Sequence, residues 1–303
     1  MRKIILIMLI NFVSINASQE EYKYVVDTID YLQKKYPSLV SKMLIGKSVE
    51  KRDLTVLRIS ASKNNDLPAI YLGASIHGHE YSHFALLEAL KGFLQKREQR
   101  DIASLLKSTI IWVQPMVNPD GVVRGSRKNA TGVDLNRNFG YHWGENWGTR
   151  FKNVRQKKSS YYIGDSAFSE PESQAVRDFL LQRKSITIYA DYHMSADMIF
   201  TAFGVIDHPI NKEYKWLYQT LHHVMDRYSQ YPKRHQIIDV VRNGSGYTID
   251  WTYGVLGIYS FTFELSYQRK KFDIVENSII YFLQECSKIK RRKPFVVESV
   301  EGK

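Results

Sequence analysis

Five short apolar runs, each closed by polar residues, constrain this chain more than any other feature. They are "LTVLRIS" (Leu54–Ser60), "AIYLGASI" (Ala69–Ile76), "TIIWVQPMV" (Thr109–Val117), "SITIYADYH" (Ser185–His193) and "GIYSFTFEL" (Gly257–Leu265). Their lengths and β-branched content suit buried strands. Longer helical patterns lie between and around them: "YVVDTIDYLQKKYP" ahead of Pro37, "FALLEALKGFL" (Phe84–Leu94) and "EPESQAVRDFLLQ" (Glu170–Gln182). Ser169 reads as the cap of the last of these and Pro171 as its first-turn proline. Strands alternating with helices predict an α/β fold: a single domain with a central mixed, mostly parallel, twisted sheet and helices on both faces. With 303 residues and 44% apolar content the chain can bury a sizeable core, and no repeat, low-complexity tract or linker divides it after residue 18.

The first residues, "MRKIILIMLINFVSINAS", set Arg2 and Lys3 before an apolar run from Ile4 to Ile10 and on to Val13, then small and polar residues. That is the layout of a signal peptide (1–18) with cleavage near Ala17, and it predicts an exported protein, periplasmic or extracellular. A membrane span needs about 18 or more apolar residues, so no stable membrane insertion is expected. The expected organisation is then a catalytic domain over 19–287 and a basic tail over 288–303, with no separate pro-segment, active as exported and monomeric. Cys286 is the only cysteine, which excludes an intrachain disulfide. Lys and Arg (43) exceed Asp and Glu (31) by 12, a field that favours anionic partners. Part of the excess sits in "RFKNVRQKK" (Arg150–Lys158) and "KIKRRK" (Lys288–Lys293), both read as solvated faces. No nucleic-acid motif accompanies them, so nucleic acid is excluded as a partner.

The stretch "SIHGHEYSHF" (Ser75–Phe84) admits two zinc sites. In one, His79, Glu80 and His83 form H-E-x-x-H on a helix, with the glutamate as base. In the other, His77 and Glu80 form H-x-x-E, with the glutamate itself on the metal. The first needs the whole pentad on one helix. A strand ending one residue before His77, followed by Gly78, puts His79 in the turn instead. The second needs a third protein ligand and leaves a fourth position open to water. In α/β sheets ligands gather beyond the carboxyl ends of strands, where His77, His193 and Glu264 all fall. Taken alone, H-x-x-E is a weak signal.

Six segments in order lift it. "IHGHE", "NPDG" (Asn118–Gly121), "SRKN" (Ser126–Asn129), "GVDLNRNF" (Gly132–Phe139), "FSEPES" (Phe168–Ser173) and "FTFEL" (Phe261–Leu265) together resemble the zinc carboxypeptidases of the carboxypeptidase A type, from about Tyr22 to about Leu283. The resemblance implies one zinc per chain bound by His77, Glu80 and His193, with Glu264 as general base. It also implies that Arg127 polarises the scissile carbonyl, while Asn136 and Arg137 hold the terminal carboxylate of a peptide substrate. The chemistry suits the residue types: zinc lowers the pKa of bound water from 15.7 to about 7, and a nearby carboxylate can take the proton. Arginine forks pair with carboxylates and stabilise developing oxyanions. His79 and His83 are expected to bind no zinc.

The pattern departs from the family at one place. A loop tyrosine is expected eight residues before Asp250, and Arg242 stands there. Tyr247 is the nearby substitute, or Arg242 supplies a cationic contact. Ile249, just before Asp250, with Ile237 and Gly244 as neighbours, implies an apolar or neutral pocket for the terminal side chain. An alternative keeps the zinc site but trims peptidoglycan stem peptides as a carboxypeptidase or amidase. A non-catalytic binding protein would have lost a ligand or the base, and neither is lost.

Overall fold

The structure, a computed structural model, describes residues 2–145, 153–194, 198–202, 237–238, 244–266, 271–291 and 294, with backbone alone for 2–18, 237–238 and 271. Helix α1 (Arg2–Lys35) leads into a hairpin of β1 (Val40–Lys47) and β2 (Asp53–Ile59), then β3 (Ala69–Ala74) and a 3-10 turn at Gly78–Glu80. Helices α2 (Ser82–Gln95) and α3 (Arg100–Ser108), strand β4 (Ile110–Gln114), the short α4 (Pro119–Arg124) and a second 3-10 turn at Leu135–Arg137 follow. The remaining elements are α5 (Pro171–Gln182), β5 (Ile186–Met194), β6 (Met198–Thr201), β7 (Ile237–Ile238), α6 (Thr248–Gly254), β8 (Tyr259–Leu265) and α7 (Lys271–Cys286). The helix read from Tyr24 onward is the C-terminal part of α1, which runs unbroken through Ala17. No described helix is long and apolar enough to cross a membrane.

The strands form one mixed sheet in the order β1-β2-β4-β3-β5-β8-β6-β7. Its centre, β4 with β3, β3 with β5 and β5 with β8, is parallel; β1 with β2, β2 with β4 and β6 with β8 are antiparallel. Strands β3 and β5 are buried along their whole length, as strands covered on both faces must be. On one face Tyr192 and Phe263 pack together, and Phe261 and Phe263 meet Phe282 of α7. On the other, Tyr71 stacks on Tyr189 and meets Phe179 of α5.

Alternation along a strand puts Asp191 and His193 on the Tyr189 face. Across the parallel pair, His193 lies in register with Glu264, and Asp191 with Thr262. Two residues far apart in the chain therefore stand side by side at the carboxyl end of the sheet.

Two local expectations need correcting. Strand β3 stops at Ala74 rather than Ile76, because Ser75 takes a left-handed φ of 52° that no strand continues through. Ser169 does not cap α5: the capping position is Glu170, without a side-chain cap, and the Ser169 hydroxyl donates to Glu170 Oε1 at 2.7 Å.

Candidate metal centre

The break at Ser75 swings the following turn off the sheet. The Ser75 amide donates to Ser82 Oγ at 2.9 Å, and the His83 amide donates to Ser75 Oγ at 3.2 Å, stitching the turn to the start of α2. Gly78 lets the turn rest directly on α4, for a Cβ there would lie 2.0 Å from the carbonyl carbon of Gly121. Asn118 fixes the same contact from below: its side chain caps α4 by accepting from the Gly121 amide at 2.8 Å and donates to the Ile76 carbonyl at 3.1 Å.

The outcome is a convergence. His77 Nδ1 lies 2.7 Å from Glu80 Oε1, and His193 Nδ1 lies 2.8 Å from Glu80 Oε2. One ligand atom from each of these three buried residues falls within 4.8 Å of the others. His193 Nδ1 and Glu80 Oε2, though close, are both buried and neither makes a hydrogen bond of acceptable geometry. Two imidazole nitrogens and a carboxylate that converge with buried lone pairs fit a divalent cation of zinc type.

Each imidazole turns its other nitrogen to a carboxylate. His77 Nε2 is 3.1 Å from Asp134 Oδ1, and His193 Nε2 is 3.4 Å from Asp191 Oδ2. An ionised carboxylate only accepts, so Asp134 and Asp191 each hold a proton on Nε2, which leaves Nδ1, the nitrogen facing Glu80, as the one a metal would take. Burial alone would raise the Glu80 carboxyl, but His193 and His77 beside it hold it far below the carboxylate range. Burial likewise opposes the charge of Asp134, and Arg127, Arg137 and His77 overcome it. The His193 imidazole, which burial would push down, is held well above its ordinary value by Glu80 and Asp191.

Arg127 is clamped to Asp134 through Nε at 2.9 Å and Nη2 at 2.8 Å, which aims Nη1 at the centre, 3.3 Å from His77 Nδ1 and 3.9 Å from Glu80 Oε1. Glu264 is the in-register neighbour of His193, and burial pushes its carboxyl up despite the opposing pull of His193. Asn136 and Arg137 sit in the second 3-10 turn, both buried. Asn136 Oδ1 accepts from the Thr248 amide at 3.0 Å, tying this turn to α6, and Gly246 (φ 74°) packs where a Cβ would lie 2.2 Å from the Arg137 carbonyl oxygen. Tyr247 covers the Arg137 guanidinium at 4.1 Å, and Ile249 is buried in α6. Arg242, and the side chain of Ile237, lie outside the described residues.

His79 is exposed, whereas His83 is buried, with Nδ1 2.8 Å from Ser75 Oγ and Nε2 3.0 Å from Glu21 Oε2. Neither joins the converging group. Sequence reasoning missed four residues that build the site: Asp134, Asp191, Thr248 and Tyr161, whose ring lies 5.4 Å from Arg127 and 5.8 Å from Arg137. A signal existed for Asp191 alone, since an acid two residues before His193 on a strand must share its face.

Comparison with known proteins points the same way. A family model described as zinc carboxypeptidase matches residues 25–289. Mouse carboxypeptidase A2 is 31% identical over 284 residues, covering 84% of this chain, and bovine carboxypeptidase A1 is 27% identical over 281 residues. The matched segment spans 63% of the length of each of these relatives. Among solved structures, carboxypeptidase A from Helicoverpa armigera superposes with a TM-score of 0.72 at 26% identity, covering 86% of this chain and 71% of that one. Thrombin activatable fibrinolysis inhibitor superposes with a TM-score of 0.76 at 26% identity, covering 88% and 76%. The family match and the His-Glu-His convergence assign zinc as the cofactor, and the chain belongs to the zinc carboxypeptidase family.

Proposed function

We propose that this chain is a zinc-dependent metallocarboxypeptidase that hydrolyses the C-terminal peptide bond of peptides, with the metal held by His77, Glu80 and His193. The observation that carries the reading is the convergence of those three buried groups beside Glu264 on the next strand. Bound zinc supplies Lewis acidity, lowering the pKa of water from 15.7 to about 7 and polarising a carbonyl oxygen. The protein's own groups do the rest.

Glu264 accepts the proton of the attacking water and delivers it to the leaving amine. Its raised pKa suits both halves of the task, because an acid whose pKa lies closer to the working pH exchanges its proton more readily. Arg127, with Nε and Nη2 engaged by Asp134, presents Nη1 to the carbonyl oxygen as it gains charge. Arg137 and Asn136 hold the substrate's terminal carboxylate, which fixes the scissile bond one residue in from the end. Tyr247 over the guanidinium keeps that fork oriented. Ile249 supports a preference for an apolar or neutral terminal residue, a modest discrimination of about 1–3 kcal/mol per methylene.

The N-terminal layout supports export with a signal over 1–18, which leaves a catalytic domain over 19–287 and a basic tail over 288–303. The stem-peptide alternative is the weaker reading. Murein-tripeptide amidase from Escherichia coli O157 shares the fold, at a TM-score of 0.51 and 22% identity, well short of the likeness to the two structures above. The test is release of a single residue from a panel of blocked dipeptides, run beside a digest of stem peptides, with the product identified by mass. Release from stem peptides alone would replace the reading. Glu264→Gln is expected to keep zinc and lose turnover, and full activity in it would remove Glu264 from the reaction.

A further inference from the structure

The two imidazoles are backed by carboxylates that differ in one respect. Asp134 is already neutralised: Arg127 grips it at 2.8 and 2.9 Å, so the pair presents almost no net charge to His77. Asp191 has no such counter-ion. Among the described residues its one ion-pair partner is His193, and its Oδ1 is buried without a hydrogen bond. Asp191 is 2% exposed, in the interior of β5, and the facing position on β3 is Gly73, which brings no polar group to it. A buried carboxylate left in that state is costly unless a cationic group stands close by.

We propose that Asp191 is a positioning residue for the metal: it accepts the Nε2 proton of His193, fixes the tautomer that turns Nδ1 inward, and supplies the negative charge that makes His193 the stronger imidazole ligand. The inference rests on the assignment of His193 and Glu80 as zinc ligands. Geometry supports it, because Asp134 is already gripped by Arg127, whereas among the described residues the ion-pair partner of Asp191 is the His193 ring. A carboxylate behind a metal-bound imidazole raises its basicity, and losing such a partner typically weakens metal binding 10- to 100-fold. The 3.4 Å separation of Nε2 and Oδ2 is long for this bond, and pulling Nδ1 onto a metal has to be accommodated by rotation of the same ring.

Zinc affinity measured by chelator competition separates this role from mere filling of the strand, because it reads the metal and not turnover. Asp191→Asn keeps an acceptor for Nε2 and loses the charge, and Asp191→Ala loses both. Zinc affinity is expected to fall about tenfold in the first and toward about a hundredfold in the second. The visible spectrum of the cobalt-substituted protein should shift in both. Unchanged affinity and an unchanged cobalt spectrum in Asp191→Asn, with only a lowered melting temperature, would make Asp191 a structural residue and overturn the inference. Glu80→Gln serves as the control for the underlying assignment: if it binds zinc as tightly as the parent, the ligand set itself is wrong, whereas lost zinc in Glu80→Gln with retained zinc in Asp191→Asn refutes the role of Asp191 alone. Should neither Asp191 variant fold, nitrogen NMR of the zinc-loaded parent labelled at histidine decides, since the inference requires the His193 proton on Nε2 and a proton on Nδ1 rules it out.

Discussion

At the scale of single residues, the centre is a set of contacts with little slack. Gly78 is the clearest case, because the atoms a Cβ would strike belong to the backbone of α4 and cannot rotate away. Gly78→Ala is therefore expected to cost about 1–3 kcal/mol in stability and to weaken zinc binding, since the turn that carries His77 and Glu80 must lift off α4. Urea midpoints and a zinc titration on the same variant check both effects, and parental zinc affinity would show that the turn has room to move. The metal also competes with a proton. In the metal-free protein burial works against a charged His193, yet Glu80 and Asp191 hold its pKa well above the ordinary 6.5. The ionic contact therefore adds to stability below that ordinary value and loses its contribution as pH rises through the folded value. Zinc requires the ring neutral, so its affinity should climb with pH through neutrality, by roughly tenfold per unit for the one proton displaced, and level off above the raised folded value. A flat profile across neutral pH, from competition titrations at several pH values, would mean that His193 carries no proton to displace.

At the scale of elements, the short helix α4 does more than its six residues suggest, because Asn118 both caps it and ties it to the carbonyl of Ile76 beside the ligand turn. Asn118→Ala should cost about 1–3 kcal/mol, combining a lost cap with a buried carbonyl left unpaired, as read from denaturant unfolding. A cost below about 0.5 kcal/mol would show that water replaces both bonds, as at an ordinary exposed cap. The longer α7 makes a chemical prediction of its own: Cys286, 1% exposed, has its thiol pushed up to about 12 by burial. It should resist alkylation at neutral pH until the protein unfolds, which intact mass after iodoacetamide treatment detects. The five apolar runs correspond to β2, β3, β4, β5 and β8, the strands whose neighbours bury them on one or both faces. Other elements were harder to read for identifiable reasons. Strand β1 is a sheet edge, and its apolar run, Met43 to Ile45, is only three residues long between Lys42 and Gly46. Helices α4 and α6, of six and seven residues, are shorter than the window in which a helical period can be seen. The stripe of α7 (Ile274, Val275, Ser278, Ile279, Phe282, Leu283) is buried and follows a helical period as clear as that of α2. In the site, H-x-x-E and the strand ends single out His77, Glu80, His193 and Glu264. Of the carboxylates behind the imidazoles, Asp191 is legible only from the face a strand residue shares with its second neighbour, and Asp134, 57 residues from His77 at the start of a 3-10 turn, follows no spacing rule. Arg291 belongs with them: in a run read as solvated, its guanidinium donates to the carbonyls of Ile186 at 2.8 Å and Arg183 at 2.6 Å, and burial lowers its pKa to about 10.

At the scale of the whole molecule, the question is whether the metal builds the fold or is received by it. Small metal-dependent domains unfold without their ion because they lack an apolar core of their own. Here Tyr71, Tyr189, Phe93, Phe261, Phe263 and Phe282 are fully buried around the eight described strands of the sheet, and none of these side chains is one of the converging ligands. The turn bearing His77 and Glu80 is held by Ser82, Asn118 and Asp134 independently of any ion. Removal of zinc by a chelator should therefore leave the far-UV circular dichroism native while the melting temperature falls. At free zinc about a hundredfold above the dissociation constant, the ion contributes about 2.7 kcal/mol. For a chain of this size that corresponds to a fall of about 4 °C, and readdition of zinc should restore it. Loss of helical and sheet signal on chelation would mean that the carboxyl end of the sheet cannot hold two imidazoles and a carboxylate together without the cation, and that the ligand turn folds only as the metal binds.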